Sequence, residues 1–250
     1  MTSRILFILE GKKPDNSYAR LLQEKMAENV VIQQYHTDIY ALYSELKKDE
    51  YFDTVSMIAE RDASFEYDES DFSQIYLFFD LDAQHDGYEA EALDKFRELL
   101  AFFDNETDKG KLLISYPMVE AFDYFSPNFL PNTSENKLQV FLYQHGDEKF
   151  KTKVTRFRKK NQSAGNLSLK VDYFVLINFA LLDEEDIFNQ IIDGTTMLER
   201  QIQEVASKKR VYIVSGYAQF IVGYFGSKYF DDILKKYDYQ KMIVDVKEAN

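Results

Sequence analysis

Three acidic clusters follow apolar runs in this chain, and their types and spacing are those of a carboxylate site for a divalent cation. Glu10 follows Ile5-Leu6-Phe7-Ile8-Leu9. Asp80 and Asp82 follow Ile75–Phe79, with Asp86 four residues beyond Asp82. Glu120 follows Leu112–Ser115, inside SYPMVEAF. Two carboxylates at i and i+2 on an extended strand point the same way, and when both are ionised they repel unless a cation is shared between them. A third carboxylate from a neighbouring strand completes a partial oxygen shell that Mg²⁺ or Mn²⁺ accepts, with water and substrate phosphate filling the rest. Such a cation activates water and stabilises the charge developing on a phosphodiester.

Each piece also has an ordinary structural role. An isolated Asp-x-Asp is commonly a strand-end turn with solvated acids, and an acid after an apolar run often serves a helix N-terminus. Glu120 could equally sit on the exposed face of a helix. The combination, an apolar strand ending in Glu-Gly and then one ending in Asp-x-Asp, favours the metal reading.

Positioning these residues requires a sheet whose strand ends share one edge. The continuous apolar runs Ile5–Leu9 and Ile75–Phe79 predict strands covered on both faces. Residues 29–35 and 112–115 predict two more strands, and residues 17–27, 38–46 and 89–103 predict helices, the second capped by Asp38. Strand and helix alternating in this way is the α/β pattern of a mostly parallel sheet flanked by helices, whose ligands bind beyond the carboxyl ends of the strands. After the loop at 128–136 the pattern turns mainly helical, over 167–182, 184–192, 195–208, 217–225 and 229–237, with one short strand at 211–214. A boundary near residue 130 follows: an α/β domain over 1–130 and a mainly helical region over 131–250.

The order of the acidic motifs resembles the Toprim fold of topoisomerases, primases, OLD-type nucleases and the RloB-type proteins of bacterial defence islands. Glu10 in ILFILEGKKPDNSY matches the Glu after the family's first strand, and Asp80 and Asp82 in IYLFFDLD match its later Asp-x-Asp. SYPMVEAFDYF, with Ser115 and Glu120, looks like the RloB-type turn and glutamate. The resemblance covers residues 4–125 and rests on short motifs. It implies a metal-dependent nuclease using Mg²⁺ or Mn²⁺, with Glu10, Asp80 and Asp82 catalytic and Glu120 a further metal ligand. It also implies a bacterial phage-defence effector, with DNA or RNA as substrate and a partner ATPase or other defence component. The acidic net charge and the lack of a clear second basic catalytic residue depart from the pattern.

Two other families use an Asp-x-Asp after a strand. A haloacid-dehalogenase phosphatase needs Thr or Val two residues past the second Asp, where this chain has Gln84. A glycosyltransferase would leave Glu10 unexplained and lacks an accompanying Gly-rich nucleotide loop. No GxxxxGK[ST] motif occurs, so nucleotide-driven control would fall to a partner. A non-catalytic Toprim-like module whose helical half docks such an ATPase is the competing expectation.

Candidate phosphate contacts are Lys12 and Lys13 beside Glu10, and the cationic run KFKTKVTRFRKK at 149–160. Alternation there would put lysines on one strand face. Lys151, Lys153, Arg156 and Arg158 would then track a nucleic-acid backbone, with Phe150 and Phe157 stacking on bases. The alternative is a solvated face that offsets surplus acid. With 30 basic and 43 acidic residues the chain carries a formal −13, which argues against a generally sticky nucleic-acid binder but not against a local basic patch. Cysteine is absent, so disulfides, thiolate zinc sites and cysteine nucleophiles are excluded. The three histidines lie in unrelated segments, and His85, near Asp82, reads as a loop residue. No signal peptide and no membrane-length apolar stretch are legible, which points to a cytoplasmic protein, with room for a homo-oligomer.

Overall fold

The computed structural model describes residues 4–11, 15–26, 29–36, 39–48, 53–81, 90–132, 134–144, 148–160, 167–182 and 187–249. The chain divides into two compact units, one of residues 1–79 and 94–113, the other of residues 80–93 and 114–250.

In the first unit the apolar run Ile5–Leu9 forms most of β1 (Arg4–Leu9), with every residue from Ile5 to Leu9 buried on both faces of the strand. Helix α1 (Asp15–Gln23) buries one stripe, Tyr18, Ala19 and Leu22, and leads to β2 (Asn29–Gln34). Helix α2 (Ile39–Leu46) buries Ile39, Leu42 and Leu46, the spacing of a single helix face. Helix α3 (Thr54–Arg61) occupies a stretch in which the sequence pattern gave no element. Its N-cap Asp53 accepts the Ser56 N–H at 2.8 Å, and Val55, Met57 and Ile58 are buried. Then come β3 (Phe72–Asp80), α4 (Ala90–Phe102), β4 (Asp104–Asn105) and β5 (Gly110–Ser115). The sheet order is β2-β1-β3-β5-β4. Strand β1 is parallel to both neighbours, Leu6 facing Val31 on one side and Ile75 on the other, and β4 is antiparallel to β5. This is the mostly parallel, helix-flanked α/β sheet that the apolar runs predict.

Gly110 opens β5 at φ +107°, and a Cβ there would lie 2.4 Å from Leu77 Cδ1 and 2.9 Å from Ile75 Cγ2. Only glycine suits both the dihedral and the space. Gly110→Ala is expected to cost about 2–4 kcal/mol from backbone strain and overpacking together, read as a lower urea midpoint at unchanged slope.

In the second unit the chain leaves β5 through a cis Tyr116–Pro117 bond and forms a 3₁₀ turn at Val119–Asp123. Tyr116 and Val214 exchange two backbone hydrogen bonds, of 2.8 and 3.0 Å. Residues 114–130, which the sequence pattern groups with the N-terminal domain, thus pack with the second unit. Their aromatic rings explain it: Tyr124 stacks on Phe157 at 4.4 Å and Phe129 meets Phe141 at 4.6 Å. Strand β6 (Lys137–Gln144), helices α5 (Phe150–Lys160), α6 (Leu167–Leu181), α7 (Ile187–Asp193) and α8 (Thr195–Lys208), strand β7 (Arg210–Tyr212), helices α9 (Gly216–Phe225) and α10 (Ser227–Lys236), and strand β8 (Ile243–Glu248) complete it. The region is mainly helical, as expected, but holds a three-stranded sheet, β7-β6-β8, of which the pattern announced only β7. Strand β6 runs antiparallel to β7 and parallel to β8. Helix α6 is buried almost all round, its predominantly apolar residues falling on every face. Among the described residues no helix is long and apolar enough to cross a membrane.

The cationic run at 149–160 is helical, which corrects the strand-face reading of its lysines. Phe150, Val154 and Phe157, at i, i+4 and i+7, share one face. Phe150 and Val154 are buried and Phe157 stacks on Tyr124, so these rings serve the core rather than nucleic-acid bases.

Candidate functional site

Glu10 directly follows β1, and its backbone continues the ladder. Its N–H donates to Phe78 O at 3.3 Å, and its carbonyl accepts the His36 N–H at 3.2 Å. The residue is half-buried. Just beyond it, Gly11 lets the chain pass close to the buried Asp15 at the head of α1, where a Cβ would lie 3.1 Å from Asp15 Oδ2. A first-turn carboxylate is favoured there by the helix dipole. Asp15 was not singled out from the sequence, because an acid at a helix start is commonplace.

Asp80 closes β3. Its Oδ1 accepts the Val119 N–H at 2.7 Å, at the start of the 3₁₀ turn, whose own N-cap, Met118, has no side chain able to do so. One such bond does not exhaust a carboxylate's acceptor capacity. The next residue, Leu81, donates its N–H to Ser115 O at 3.0 Å, so the carboxyl ends of β3 and β5 meet. Ser115 Oγ in turn accepts the Gly216 N–H at 3.2 Å, at the first turn of α9.

Glu120 is buried in the 3₁₀ turn, which corrects the reading of an exposed helical face. Its Oε1 lies 2.8 Å from Lys151 Nζ, at ion-pair distance but off the angle of a hydrogen bond. Three residues on, Asp123 is also buried and meets two cations, Lys170 Nζ at 2.6 Å and Arg158 at 3.0 Å. The two acids of one short turn are thus met by Lys151 and Arg158 of α5 and Lys170 of α6. Asp123 and Lys170 were missed from the sequence. The usable signal was Lys170 itself, the single cation of a mostly apolar run, which requires a buried partner.

The four α5 residues expected at a phosphate backbone divide accordingly. Lys153 is buried and its ammonium donates to Ala249 O, so the assignment to nucleic acid is corrected: the side chain ties α5 to the segment after β8. Lys151 and Arg158 are largely exposed along their length, yet their heads pair with Glu120 and Asp123. Arg156 pairs with Glu148 through both terminal nitrogens, one bond measuring 3.0 Å. If α5 still offers phosphate contacts, Arg156→Gln should flatten the salt dependence of nucleic-acid binding by about 0.7–0.9 in the log–log slope, while Lys153→Gln lowers stability and leaves the slope alone. Fluorescence anisotropy over a salt series reads both.

Asp82, Asp86, His85, Lys12 and Lys13 lie outside the described residues. Among the described residues no group of three or more Asp, Glu or His side chains is gathered so as to hold a metal ion. What the described residues supply is a sheet edge carrying Glu10 beyond β1 and Asp80 at the end of the adjacent β3, and a 3₁₀ turn whose acids are neutralised by lysine and arginine. No protein-family model matches the chain, and neither does any curated protein or solved structure.

Proposed function

We propose that the chain is a divalent-cation-dependent phosphodiesterase of the Toprim type that cleaves nucleic acid, acting in the cytoplasm as a phage-defence effector. Asp80 and Asp82 are the ligands of Mg²⁺ or Mn²⁺, Glu10 is a ligand or the general base, and Glu120 assists. The observation that carries this reading is the strand order. With β1 beside β3 and parallel to it, Glu10 and Asp80 fall at the carboxyl ends of adjacent strands, where sheets of this class bind ligands. The cation would supply an activated water and a counter-charge for the phosphodiester. Lys12 and Lys13, two to three residues before the head of α1 and close to Glu10 in sequence, are the remaining candidates for substrate phosphates.

The second reading, a non-catalytic module that docks a partner such as an ATPase, is favoured by one observation. Lys151, Arg156 and Arg158 are directed at acids of the same chain, and Lys153 is buried, which leaves α5 a weaker track for nucleic acid than its composition suggests. The deciding experiment is a cleavage assay of purified protein on single- and double-stranded DNA and RNA with Mg²⁺ or Mn²⁺, with Asp82→Ala and chelator as controls. Metal-dependent cleavage lost in both controls supports the phosphodiesterase. No cleavage of any substrate with either cation overturns it.

A further inference from the structure

We propose that β8 is a self-pairing edge, through which two copies of the chain associate with residues 244–248 antiparallel and Val246 opposite Val246 on the two-fold axis. Strand β8 closes one end of the β7-β6-β8 sheet, and among the described residues no other strand pairs with its outer side. It is also the most exposed apolar segment described: Ile243 is 55% exposed, Val244 40% and Val246 46%. An edge strand with open N–H and C=O groups and apolar side chains is a template for pairing with another chain, and proteins normally blunt such edges.

The hydrogen-bond phase fixes which residues can take part. Ile243 N–H bonds Asn136 O at 2.9 Å and Ala249 N–H bonds Leu142 O at 2.8 Å, with Leu138 facing Val244 and Val140 facing Val246 in the parallel register. In a parallel ladder, alternate residues direct both backbone groups to the same side. Residues 243, 245, 247 and 249 therefore face β6, and Val244, Val246 and Glu248 present theirs outward.

Charge then selects the register. An antiparallel partner must pair outward residues with outward residues, so Val246 can face Val244, Val246 or Glu248 of the second copy. The first choice sets Asp245 against Asp245, and the last sets Lys247 against Lys247, both repulsive. Only Val246 against Val246 sets Asp245 against Lys247, twice over by the two-fold, at the non-hydrogen-bonded positions where side chains lie closest. The same register also brings all three outward residues of each copy into bonded pairs. Glu248, which then faces Val244, already has its charge met by Arg210 of its own chain at 2.5 Å. Within one chain Asp245 and Lys247 lie 3.3 Å apart on the surface, a pair that contributes little to the monomer. A heterologous strand could occupy the same edge, but self-complementarity of charge and phase favours a second copy.

Sedimentation velocity of the full chain, from about 1 to 100 μM, tests this, since a strand pair of modest area implies micromolar affinity. The wild type should shift from monomer to dimer across that range. Val246→Pro removes one outward N–H without touching the ladder to β6, and should leave a monomer with unchanged circular dichroism. Asp245→Lys and Lys247→Asp should each weaken the dimer by about tenfold or more, and combining them should restore it. The charge exchange keeps the test decisive if the proline variant folds poorly. A wild type that stays monomeric throughout, or a dimer indifferent to the single charge reversals, overturns the proposal.

Discussion

Asp123→Ala is expected to destabilise the protein by about 3–5 kcal/mol, the cost of leaving a buried charge without its counter-ion. Asp123 is 7% exposed and holds two cations of different standing. Arg158, 56% exposed, can turn its guanidinium back to water when the carboxylate is lost. Lys170, 8% exposed on a helix buried nearly all round, cannot. Against a typical domain stability of about 5–15 kcal/mol, that is roughly a fifth of the total or more. Urea unfolding followed by circular dichroism measures it. Replacing the pair together, as Asp123→Leu with Lys170→Met, should recover most of the loss, because an apolar pair of similar volume removes the desolvation problem rather than exposing it. A single-variant loss below about 1 kcal/mol would mean that water reaches the Lys170 ammonium, and that the pair is not a buried one.

Asp82→Ala should lower metal-dependent phosphodiester cleavage by roughly 10²-fold or more, the scale on which removing one stabiliser of transition-state charge acts. Asp82 is a cleaner probe than its neighbour for a structural reason. Asp80 Oδ1 accepts the Val119 N–H, so Asp80→Ala would also strip an acceptor from the start of the 3₁₀ turn. Asp80→Asn keeps an acceptor oxygen there while removing the charge. If the two carboxylates repel without metal, Asp80→Asn should raise the melting temperature of the metal-free protein and abolish its rise with Mn²⁺, since ligand binding to the native state stabilises by mass action. Cleavage that survives Asp82→Ala and chelation sinks the catalytic reading of this carboxylate. A cellular defence phenotype unchanged by Asp82→Ala, in protein that folds normally, moves the function to a docking role.

The sheet that carries Glu10 and Asp80 was legible because β1 and β3 are buried on both faces, and a run such as Ile5–Leu9 has no competing helical explanation at five residues. Strand β6 is buried just as thoroughly from Leu138 to Tyr143, Gln139 apart, but its polar ends and the helical periodicity that follows masked it. Helix α3 was hidden by its short length, two turns resting on Val55, Met57 and Ile58 and an Asp53 cap. The cationic run misled for a sharper reason. Its lysines alternate like strand residues, while its apolar members Phe150, Val154 and Phe157 repeat like helix residues. Burial follows the apolar members, because the hydrophobic effect sets which face turns inward and charged stems adapt to it. Of the candidate site, the acids at strand ends were readable from position alone. The partners of Glu120 and Asp123 were not, since a contact between a turn at 119–123 and lysines 30 to 50 residues later is set by tertiary packing.

The path of the chain through its two compact units has a consequence for how this protein can be divided or recombined. The backbone passes from one unit to the other at residues 79–80, returns at 93–94 and passes again at 113–114. A single cut anywhere in the sequence therefore yields no fragment that contains one unit whole and nothing of the other. Cutting after residue 113 strands residues 80–93 with the wrong partner, and cutting after 79 leaves residues 94–113 behind. A gene built this way is a poor substrate for modular shuffling: no single crossover transfers one unit without a piece of the other.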